Sequence, residues 1–323
     1  MITTNNNEMR AVRIHQYGGS AEMNLEKIAI PEPGEGEVLI KIFSAGVNPI
    51  DWKIREGYLA EIIPHTLPLT LGWDFAGEIA SLGKNACKWR IGDAVYARPD
   101  FSRNGSYAEY IVVSEDEIAA KPKTLSWQKS AAVPLVTLTA WQALKDIGAV
   151  KQGDRVLIHA GAGGVGIATI QLAKLAGATV YTTSSTKNID FLKELGADKV
   201  IDYTQEDFSK LENIDIVFDT IGGEVLEKSW VTLKKGASLV SVAEVPNEKL
   251  AAKYEVNANF CFVQANPEQL SEIADLIDSG NLKVVVDSTF ELEEFVKAHE
   301  KSESGHTRGK IVIQMQEEQG KYE

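Results

Sequence analysis

The hydrophobic pattern divides the chain into two parts with different periods. Up to about residue 125, short apolar stretches alternate with turn residues, and they predict strands at 11–14, 38–42, 75–80, 94–97 and 107–113. Closely spaced short strands with glycine turns between them are typical of an all-β barrel or sandwich. We therefore expect residues 1–125 to form a β-rich domain.

A helical period begins near residue 126, and from there strands and helices alternate. Strands are predicted at 155–159, 179–183, 199–203, 215–220 and 238–242, with helices between them. This alternation is typical of a parallel doubly wound sheet, whose ligands bind at the carboxyl ends of the strands. The fold class is therefore α/β, and we assign residues 126–286 to this second domain.

The last part of the chain is predicted to complete the first domain. Helical spacing covers 267–277 and 292–300, while strands are predicted at 283–286 and 310–313. We expect residues 287–323 to return to the β-rich domain. The polar ends, residues 1–7 and 316–323, are expected to be loosely held.

The stretch from Val156 to Gly166 carries the clearest functional signal. A buried strand runs into a turn where Gly161, Gly163 and Gly166 fit G-x-G-x-x-G, and a helical pattern follows. Such glycines allow a tight turn, close approach of the backbone to a pyrophosphate, and close packing of helix on strand. The helix start adds N–H donors and the positive end of a dipole. We predict a dinucleotide site here; the alternative is a purely structural glycine turn.

The strand after this helix indicates which dinucleotide binds. An NAD enzyme usually places a carboxylate at the end of that strand, against the ribose 2′-hydroxyl. This chain instead has Ser184, Ser185, Thr186 and Lys187, and the nearest acid along the sequence is Asp190. A 2′-phosphate needs hydrogen-bond donors and no competing anion, so the segment favours NADP as the cofactor. Ser185 or Thr186 could instead, or in addition, cap the next helix.

Composition excludes several classes of partner. The chain has 33 Lys and Arg against 46 Asp and Glu, a net charge of −13, which disfavours nonspecific attraction to nucleic acid or an anionic membrane. No apolar run approaches the roughly 18 residues that span a bilayer, and the amino end lacks a secretory pattern. With only Cys87 and Cys261, no disulfide framework is expected. We predict a cytoplasmic protein with a small-molecule substrate.

Ordered motifs along nearly the whole chain resemble the medium-chain dehydrogenase/reductase superfamily. They are GVNPID at 46–51, GWDFAG at 72–77, GDAV at 92–95, GSYAEY at 105–110, LTAW at 138–141, the glycine turn, and GKIV at 309–312. Within it, the chain is similar to the zinc-free (zeta-crystallin-like) quinone oxidoreductases and to the alkenal/one oxidoreductases. The resemblance implies a GroES-like β-barrel catalytic domain, a Rossmann domain, a cofactor cleft between them, and a homodimer.

Two positions depart from the zinc alcohol dehydrogenases of that superfamily. Those enzymes bind catalytic zinc with a cysteine in the first motif and a histidine in the second, where this chain has Asn48 and Trp73. Ile50 replaces a proton-relay hydroxyl, and the four-cysteine lobe has no counterpart. We therefore expect no metal in the site.

The resemblance also implies roles for single residues. It places Asn48 beside the nicotinamide and the substrate as the first catalytic candidate and Lys53 as the second, although Lys53 could equally be a solvated surface lysine. We expect Asp51 to be a buried hydrogen-bonding scaffold. The residues expected to contact the cofactor are Asn48, Thr139, Gly161, Gly163, Gly164, Val165, Gly166, Ser184, Ser185, Lys187, Tyr203, Thr220, Val242 and Ala243. Thr139 could also be an ordinary helix hydroxyl, and Tyr203 a half-buried strand aromatic.

Hydride transfer leaves the difficult chemistry to the cofactor, so the protein needs no nucleophile and no acid–base dyad. We expect an NADPH-dependent oxidoreductase that reduces a quinone or an α,β-unsaturated carbonyl without zinc. Two alternatives stay open. One is an enoyl-thioester reductase of the same superfamily, and the other is a non-enzymatic, crystallin-like protein that binds NADPH.

Overall fold

The computed structural model describes residues 7–316 and divides the chain into two compact units, each with its own sheets. Unit 1 holds the residues up to Leu135, Ala265–Asp278, and those from Val284 onward. Unit 2 holds Val136–Gln264 and Ser279–Lys283. The predicted mixed α/β fold is confirmed, with a β-rich unit and a unit built on a parallel sheet.

The elements are numbered in chain order. The strands are β1 (Glu8–Ile14), β2 (Met23–Ala29), β3 (Glu37–Val47), β4 (Leu69–Thr70), β5 (Phe75–Leu82), β6 (Ala94–Ala97), β7 (Tyr110–Ser114), β8 (Ala119–Ala120), β9 (Arg155–Ile158), β10 (Thr179–Ser184), β11 (Lys199–Asp202), β12 (Ile214–Asp219), β13 (Leu233–Ser241), β14 (Asn257–Phe260), β15 (Val286–Glu291) and β16 (Lys310–Gln314). The α-helices are α1 (Pro49–Arg55), α2 (Trp127–Ala131), α3 (Pro134–Trp141), α4 (Gly164–Leu175), α5 (Ile189–Glu194), α6 (Gly223–Ser229), α7 (Glu248–Tyr254), α8 (Pro267–Asp278) and α9 (Phe295–Glu303).

Unit 1 is built on two sheets of short strands, as the first part of the sequence predicts. One sheet has the order β2-β1-β4, and the other has the order β15-β16-β3-β5-β6-β8, with β7 also paired to β3. The pairs are antiparallel except for β15 and β16, which run parallel. Because β16 pairs with β3, the last part of the chain extends the sheet that the first part begins.

Unit 2 is a parallel sheet in the order β11-β10-β9-β12-β13-β14. Counted from β9, this is the 3-2-1-4-5-6 order of a Rossmann fold. The central strand β9 is fully buried at Val156, Leu157 and Ile158, because parallel sheets are covered on both faces. The order reverses between β9 and β12, and such a switch point is where open parallel sheets bind their ligands.

Two segments that the sequence assigned to the second domain lie in unit 1. Helix α2 stacks Trp127 on Phe43, with ring centroids 4.6 Å apart. Helix α8 is tied by the Tyr96 hydroxyl, which donates to the Leu270 carbonyl at 2.6 Å. The unit division therefore falls after Leu135, ten residues beyond the predicted boundary, because long-range contacts decide which sheet a helix joins.

The element boundaries differ from prediction in several places. Strand β3 ends at Val47 instead of residue 42, β13 begins at Leu233 instead of residue 238, and β2 was not predicted. The strand expected at 283–286 runs instead over β15, because the backbone N–H and carbonyl of Lys283 are hydrogen-bonded to the Gln171 side chain at 2.8 and 3.0 Å. The tail was expected to be loose from Gln316, yet this amide donates to the carbonyls of Ile42 and Glu109. The remaining expected loose ends, 1–6 and 317–323, lie outside the described residues.

Candidate active site

The chain turns sharply where β9 meets α4. Ala160 has a left-handed backbone with φ +52°, and the Gly163 N–H donates to its carbonyl at 3.0 Å. A Cβ on Gly161 would lie 2.1 Å from the Thr182 hydroxyl oxygen, and a Cβ on Gly166 would lie 2.4 Å from the Ala160 carbonyl oxygen. The packing of the turn itself therefore requires glycine at these two positions.

Gly163 is different, because the fold does not require a glycine there. Its φ of −74° and ψ of 165° suit any residue, and a Cβ would meet only the Ala160 carbonyl oxygen, at an ordinary 3.4 Å. Gly163 is the N-cap of α4, and no side chain caps this helix start. Gly164 and Val165 follow, half-buried, in the first turn. An uncapped helix start beside a sterically unneeded glycine fits a pyrophosphate.

The residues predicted to meet a 2′-phosphate follow β10 and β11. Ser184 is buried at the end of β10, Ser185 is half-buried, and Lys187 is exposed. Tyr203 is 59% exposed just beyond β11, so it is not a half-buried strand aromatic. Its N–H donates to the Ser184 carbonyl at 3.1 Å, which brings the two loops to one edge of the sheet.

A carboxylate that sequence reasoning missed also lies at this edge. Asp202 lies opposite Ser184 where β10 and β11 pair in parallel. The hydrogen bonds that its carboxylate accepts hold the pKa of Asp202 below its usual value, and the bond from the Thr186 hydroxyl contributes most. Ser185 makes no side-chain cap, and the Thr186 hydroxyl serves Asp202 instead of capping α5. Along the sequence the nearest acid is Asp190, and this residue is exposed.

The other predicted strand-end residues lie where the Rossmann order places them. The Thr220 hydroxyl, just after β12, donates to the His159 carbonyl at 3.1 Å. Val242 and Ala243 follow β13 and are half-buried, and the Val242 N–H donates to the Asp219 carbonyl at 3.0 Å. Thr139 is buried in α3. Their contacts with a cofactor stay predictions.

His159 separates β9 from the glycine turn and is fully buried. Its Nδ1 lies 3.1 Å from the Thr183 hydroxyl and its Nε2 lies 2.9 Å from the Ser229 hydroxyl. Burial lowers the pKa of His159 to about 4, although the charge of Asp219 acts in the opposite direction. The imidazole is therefore neutral near pH 7 and cross-links two elements under the turn.

Unit 1 contains a buried charged cluster, here called the lysine cluster, formed by Asn48, Asp51, Asp74 and Lys310. The Asn48 amide nitrogen donates to Asp74 at 2.8 Å, and its oxygen accepts from the Lys310 ammonium. That ammonium also donates to the Val47 carbonyl at 2.7 Å and lies 3.4 Å from Asp74. Because an ammonium only donates and a carboxylate only accepts, the two charges fix which way the Asn48 amide points.

Asp51 adds a second carboxylate to the lysine cluster. One of its oxygens accepts the Asn48 N–H and the Tyr107 hydroxyl, each at 2.7 Å, and the other is buried without a partner among the described residues. Burial raises the pKa of Asp51 to about 7 and that of Asp74 to about 6, and Lys310 opposes both shifts. This geometry agrees with the expected scaffold role of Asp51. Sequence reasoning missed Asp74, Tyr107 and Lys310, although all three lie within the motifs shared with the superfamily.

Lys53 is half-buried on α1 and does not belong to this cluster. Its ammonium lies 5.8 Å from the centroid of the Trp52 ring, and burial lowers its pKa. No carboxylate pairs with it in the part of the chain that the structure describes. Its partial burial is less than that of the cluster residues, and its catalytic role stays a prediction.

The donor set does not fit a catalytic zinc. Both polar atoms of the Asn48 amide are engaged by Lys310 and Asp74. Trp73 is buried against His65 and Phe101, with centroids 5.9 and 6.0 Å away, and an indole offers no ligand. Within residues 7–316, no three His, Cys, Asp or Glu side chains are grouped so that they could hold a metal ion.

None of the helices described within residues 7–316 is long and apolar enough to cross a membrane.

Comparison with known proteins shows the family to which the chain belongs. Residues 34–123 match the alcohol dehydrogenase GroES-like domain, and residues 195–313 match the zinc-binding dehydrogenase family. The 2-methylene-furan-3-one reductase of Solanum lycopersicum is 36% identical over 319 residues, which are 95% of this chain and 79% of that protein.

Solved structures extend the similarity to the whole fold. The quinone oxidoreductase of Coxiella burnetii is 39% identical with a TM-score of 0.91, over 96% of this chain and all of that one. A mycobacterial protein solved with NADPH is 28% identical with a TM-score of 0.86, over 95% of this chain and 99% of that one.

Proposed function

Because this chain belongs to the quinone oxidoreductase branch of the medium-chain dehydrogenase/reductase superfamily and is an oxidoreductase, we propose that it transfers hydride from NADPH to a quinone or an α,β-unsaturated carbonyl without zinc. The lysine cluster carries this proposal. An amide tied to a buried ammonium and an indole stand at the two positions where zinc ligands are expected. Without a Lewis acid, no metal lowers the pKa of an alcohol's hydroxyl, whereas a conjugated acceptor needs no such activation.

The expected reaction requires few catalytic groups from the protein. NADPH supplies the hydride, and negative charge develops on the acceptor's oxygen, which solvent can then protonate. Donors held in a poorly solvated site stabilise that charge. Lys53 is a half-buried ammonium without a carboxylate partner in the described chain, so it suits this role. Asn48 has a second amide N–H besides the one it donates to Asp74, but the residue is fully buried, so its proposed place beside the nicotinamide depends on the variant test below.

A substrate screen tests the reaction class. NADPH consumption is measured with a quinone, an enone, an enoyl thioester and a simple aldehyde, and NADP reduction with a simple alcohol, all before and after exhaustive chelation. We expect turnover of the quinone or the enone, unchanged by chelation, and little oxidation of the alcohol. Strong preference for the thioester would favour the enoyl reductase alternative. NADPH binding with no turnover would favour the crystallin-like one.

Two variants test the catalytic candidates. Replacing Lys53 or Asn48 with alanine should lower turnover about 10²–10³-fold if the residue donates to the developing oxyanion. Lys84→Ala, at an exposed lysine, is the matched control and should leave turnover unchanged. Each variant is first checked for NADPH binding. A Lys53→Ala enzyme with parental turnover would remove Lys53 from the mechanism.

The preference for NADPH rests on Ser184, Ser185, Lys187 and Tyr203, which follow two neighbouring strands. Each charge-assisted hydrogen bond to a 2′-phosphate contributes about 1.5–3 kcal/mol, so two of them separate NADPH from NADH by about two to four decades in affinity. Fluorescence titration with both cofactors measures this difference. Lys187→Ala should weaken NADPH binding far more than NADH binding, and equal dissociation constants in the parent would contradict the preference.

We also propose a cytoplasmic homodimer. The outer edge of β14 has no partner strand in the described chain, and Phe260 on it is 39% exposed. Such an edge is a ready surface for pairing with a second copy. The two cysteines are unpaired, which supports a reducing compartment. Light scattering on the purified protein tests the dimer, and a monomeric mass at micromolar concentration would contradict it.

A further inference from the structure

The two loops that carry the proposed 2′-phosphate residues are joined by the backbone hydrogen bond from Tyr203 to Ser184 and, at the side-chain level, through one buried carboxylate. Asp202, the last residue of β11, is only 3% exposed. One of its oxygens accepts from the Thr186 hydroxyl at 2.5 Å, across from the loop that follows β10. The Gln205 amide reaches the same oxygen at 2.8 Å. Lys187 and Tyr203, the next residues after Thr186 and Asp202, are both exposed above this contact.

The other oxygen of Asp202 is occupied within its own loop. It accepts from the backbone N–H of Thr204 at 3.0 Å and from the Thr204 hydroxyl at 2.7 Å. Each carboxylate oxygen thus receives two donors, which fills the acceptor sites of the group. A carboxylate in that state is not available to accept a ribose 2′-hydroxyl, the role that an acid plays in NAD enzymes.

We propose that Asp202 is a positioning residue for cofactor choice: its hydrogen bond with Thr186 locks the loop of Lys187 to the loop of Tyr203, so that both meet a 2′-phosphate. This inference rests on the proposed use of NADPH. The lock acts before the cofactor binds, so the two donors need not be ordered at the moment of binding. It also leaves the Asp202 carboxylate without a free acceptor site for the ribose 2′-hydroxyl of NADH.

Two threonines provide a matched pair for the test. Thr186 and Thr204 are both exposed, and both donate their hydroxyl to Asp202. Only the Thr186 bond crosses from one loop to the other. Thr186→Val, which removes the hydroxyl and keeps the branched shape, should weaken NADPH binding about tenfold and change NADH binding less than about twofold. Thr204→Val should leave both dissociation constants within about twofold of the parent.

Asp202→Asn separates positioning from direct contact. Asp202 accepts from four donors, and an amide with one acceptor oxygen and no charge cannot accept from all of them, so the bond between the loops is weakened and a lock predicts weaker NADPH binding in this variant. If the Thr186 hydroxyl itself bound the phosphate, or if the Asp202 charge repelled it, the substitution would free the donor or remove the repulsion. NADPH would then bind as tightly as in the parent or more tightly, and the inference would be wrong.

The titrations also keep this inference apart from the proposed function. Equal dissociation constants for NADPH and NADH in the parent would overturn both the cofactor proposal and the lock. A clear NADPH preference in the parent that Thr186→Val leaves unchanged would overturn the lock alone. Melting temperatures of all three variants are measured alongside, because a parental melting temperature shows that a change in binding does not come from unfolding.

Discussion

The glycine turn of unit 2 and the lysine cluster of unit 1 are built in opposite ways. The turn uses backbone atoms within seven consecutive residues, Ala160 to Gly166. The cluster uses side chains that lie far apart along the chain, with Lys310 reaching Asn48 across 262 positions. A site made of local backbone geometry is visible as a motif. A site made of distant side chains becomes visible only after folding, because no spacing rule connects its members.

The largest effect is expected from breaking the lysine cluster. Lys310→Met leaves the buried Asp74 carboxylate without its ammonium, which should lower the free energy of unfolding by about 3–5 kcal/mol. The double variant Lys310→Met, Asp74→Asn removes both charges and should recover part of that loss. Urea unfolding measures all three proteins, with Lys84→Met as the control at an exposed lysine. A loss below about 1 kcal/mol would show that the cluster is not held by charge.

The next effect concerns the buried histidine beside the turn. The pKa of His159 is about 4 in the folded chain and 6.5 ordinarily, so the unfolded chain takes up the proton first as pH falls. The stabilisation from the neutral imidazole is therefore complete above pH 6.5 and is lost progressively down to about pH 4.

The measurement is a difference between parent and His159→Gln. Relative to the variant, the parent should lose about 3 kcal/mol of unfolding free energy between pH 6.5 and 4. Taking the difference cancels the opposite contribution of Asp51 and Asp74, whose raised pKa values favour the folded state as pH falls. His306→Gln, at an exposed histidine, serves as the control. Parallel pH profiles for the parent and His159→Gln would show that the imidazole is not kept neutral by folding.

The smallest effect distinguishes the two kinds of glycine in the turn. Gly166→Ala pushes a methyl group against the Ala160 carbonyl and should cost about 1–3 kcal/mol of stability. Gly163→Ala meets only an ordinary contact and should leave stability within about 0.5 kcal/mol of the parent, while it weakens NADPH binding. Thermal melts and cofactor titrations check both. If Gly163→Ala bound NADPH as the parent does, the backbone at Gly163 would not approach the pyrophosphate.

Sequence patterns were sufficient where the determining forces are local. Apolar spacing and turn chemistry account for the strand at Ala94–Ala97 and for the helix after the glycine turn. They also account for the end of that helix at Leu175, shortly before Gly177, which has φ +80°. The resemblance to the superfamily added the GroES-like barrel, which periodicity alone left open between barrel and sandwich.

Long-range contacts explain what the sequence did not show. Helix α8 joins unit 1 because Tyr96 holds its Leu270 carbonyl, and no pattern within the helix records that partner. Asp202 reaches Thr186 only because their strands lie side by side. Lys310 lies within the GKIV motif, but only the pairing of β16 with β3 shows which residues it contacts. Pairing between distant strands carries this information.

The pairing of β16 with β3 also sets the order in which the protein can be completed during synthesis. Lys310 follows Val47 by 263 residues, so at the usual pace of translation roughly 10–50 s pass between the emergence of the two. During that interval Asp51 and Asp74 have no ammonium to bury against, and the edge of β3 from Ser44 to Val47 lacks its neighbour. Most of unit 2, Val136–Gln264, is one continuous segment and is synthesised before β16. Most of unit 2 can therefore fold before β16 is available to pair with β3 in unit 1.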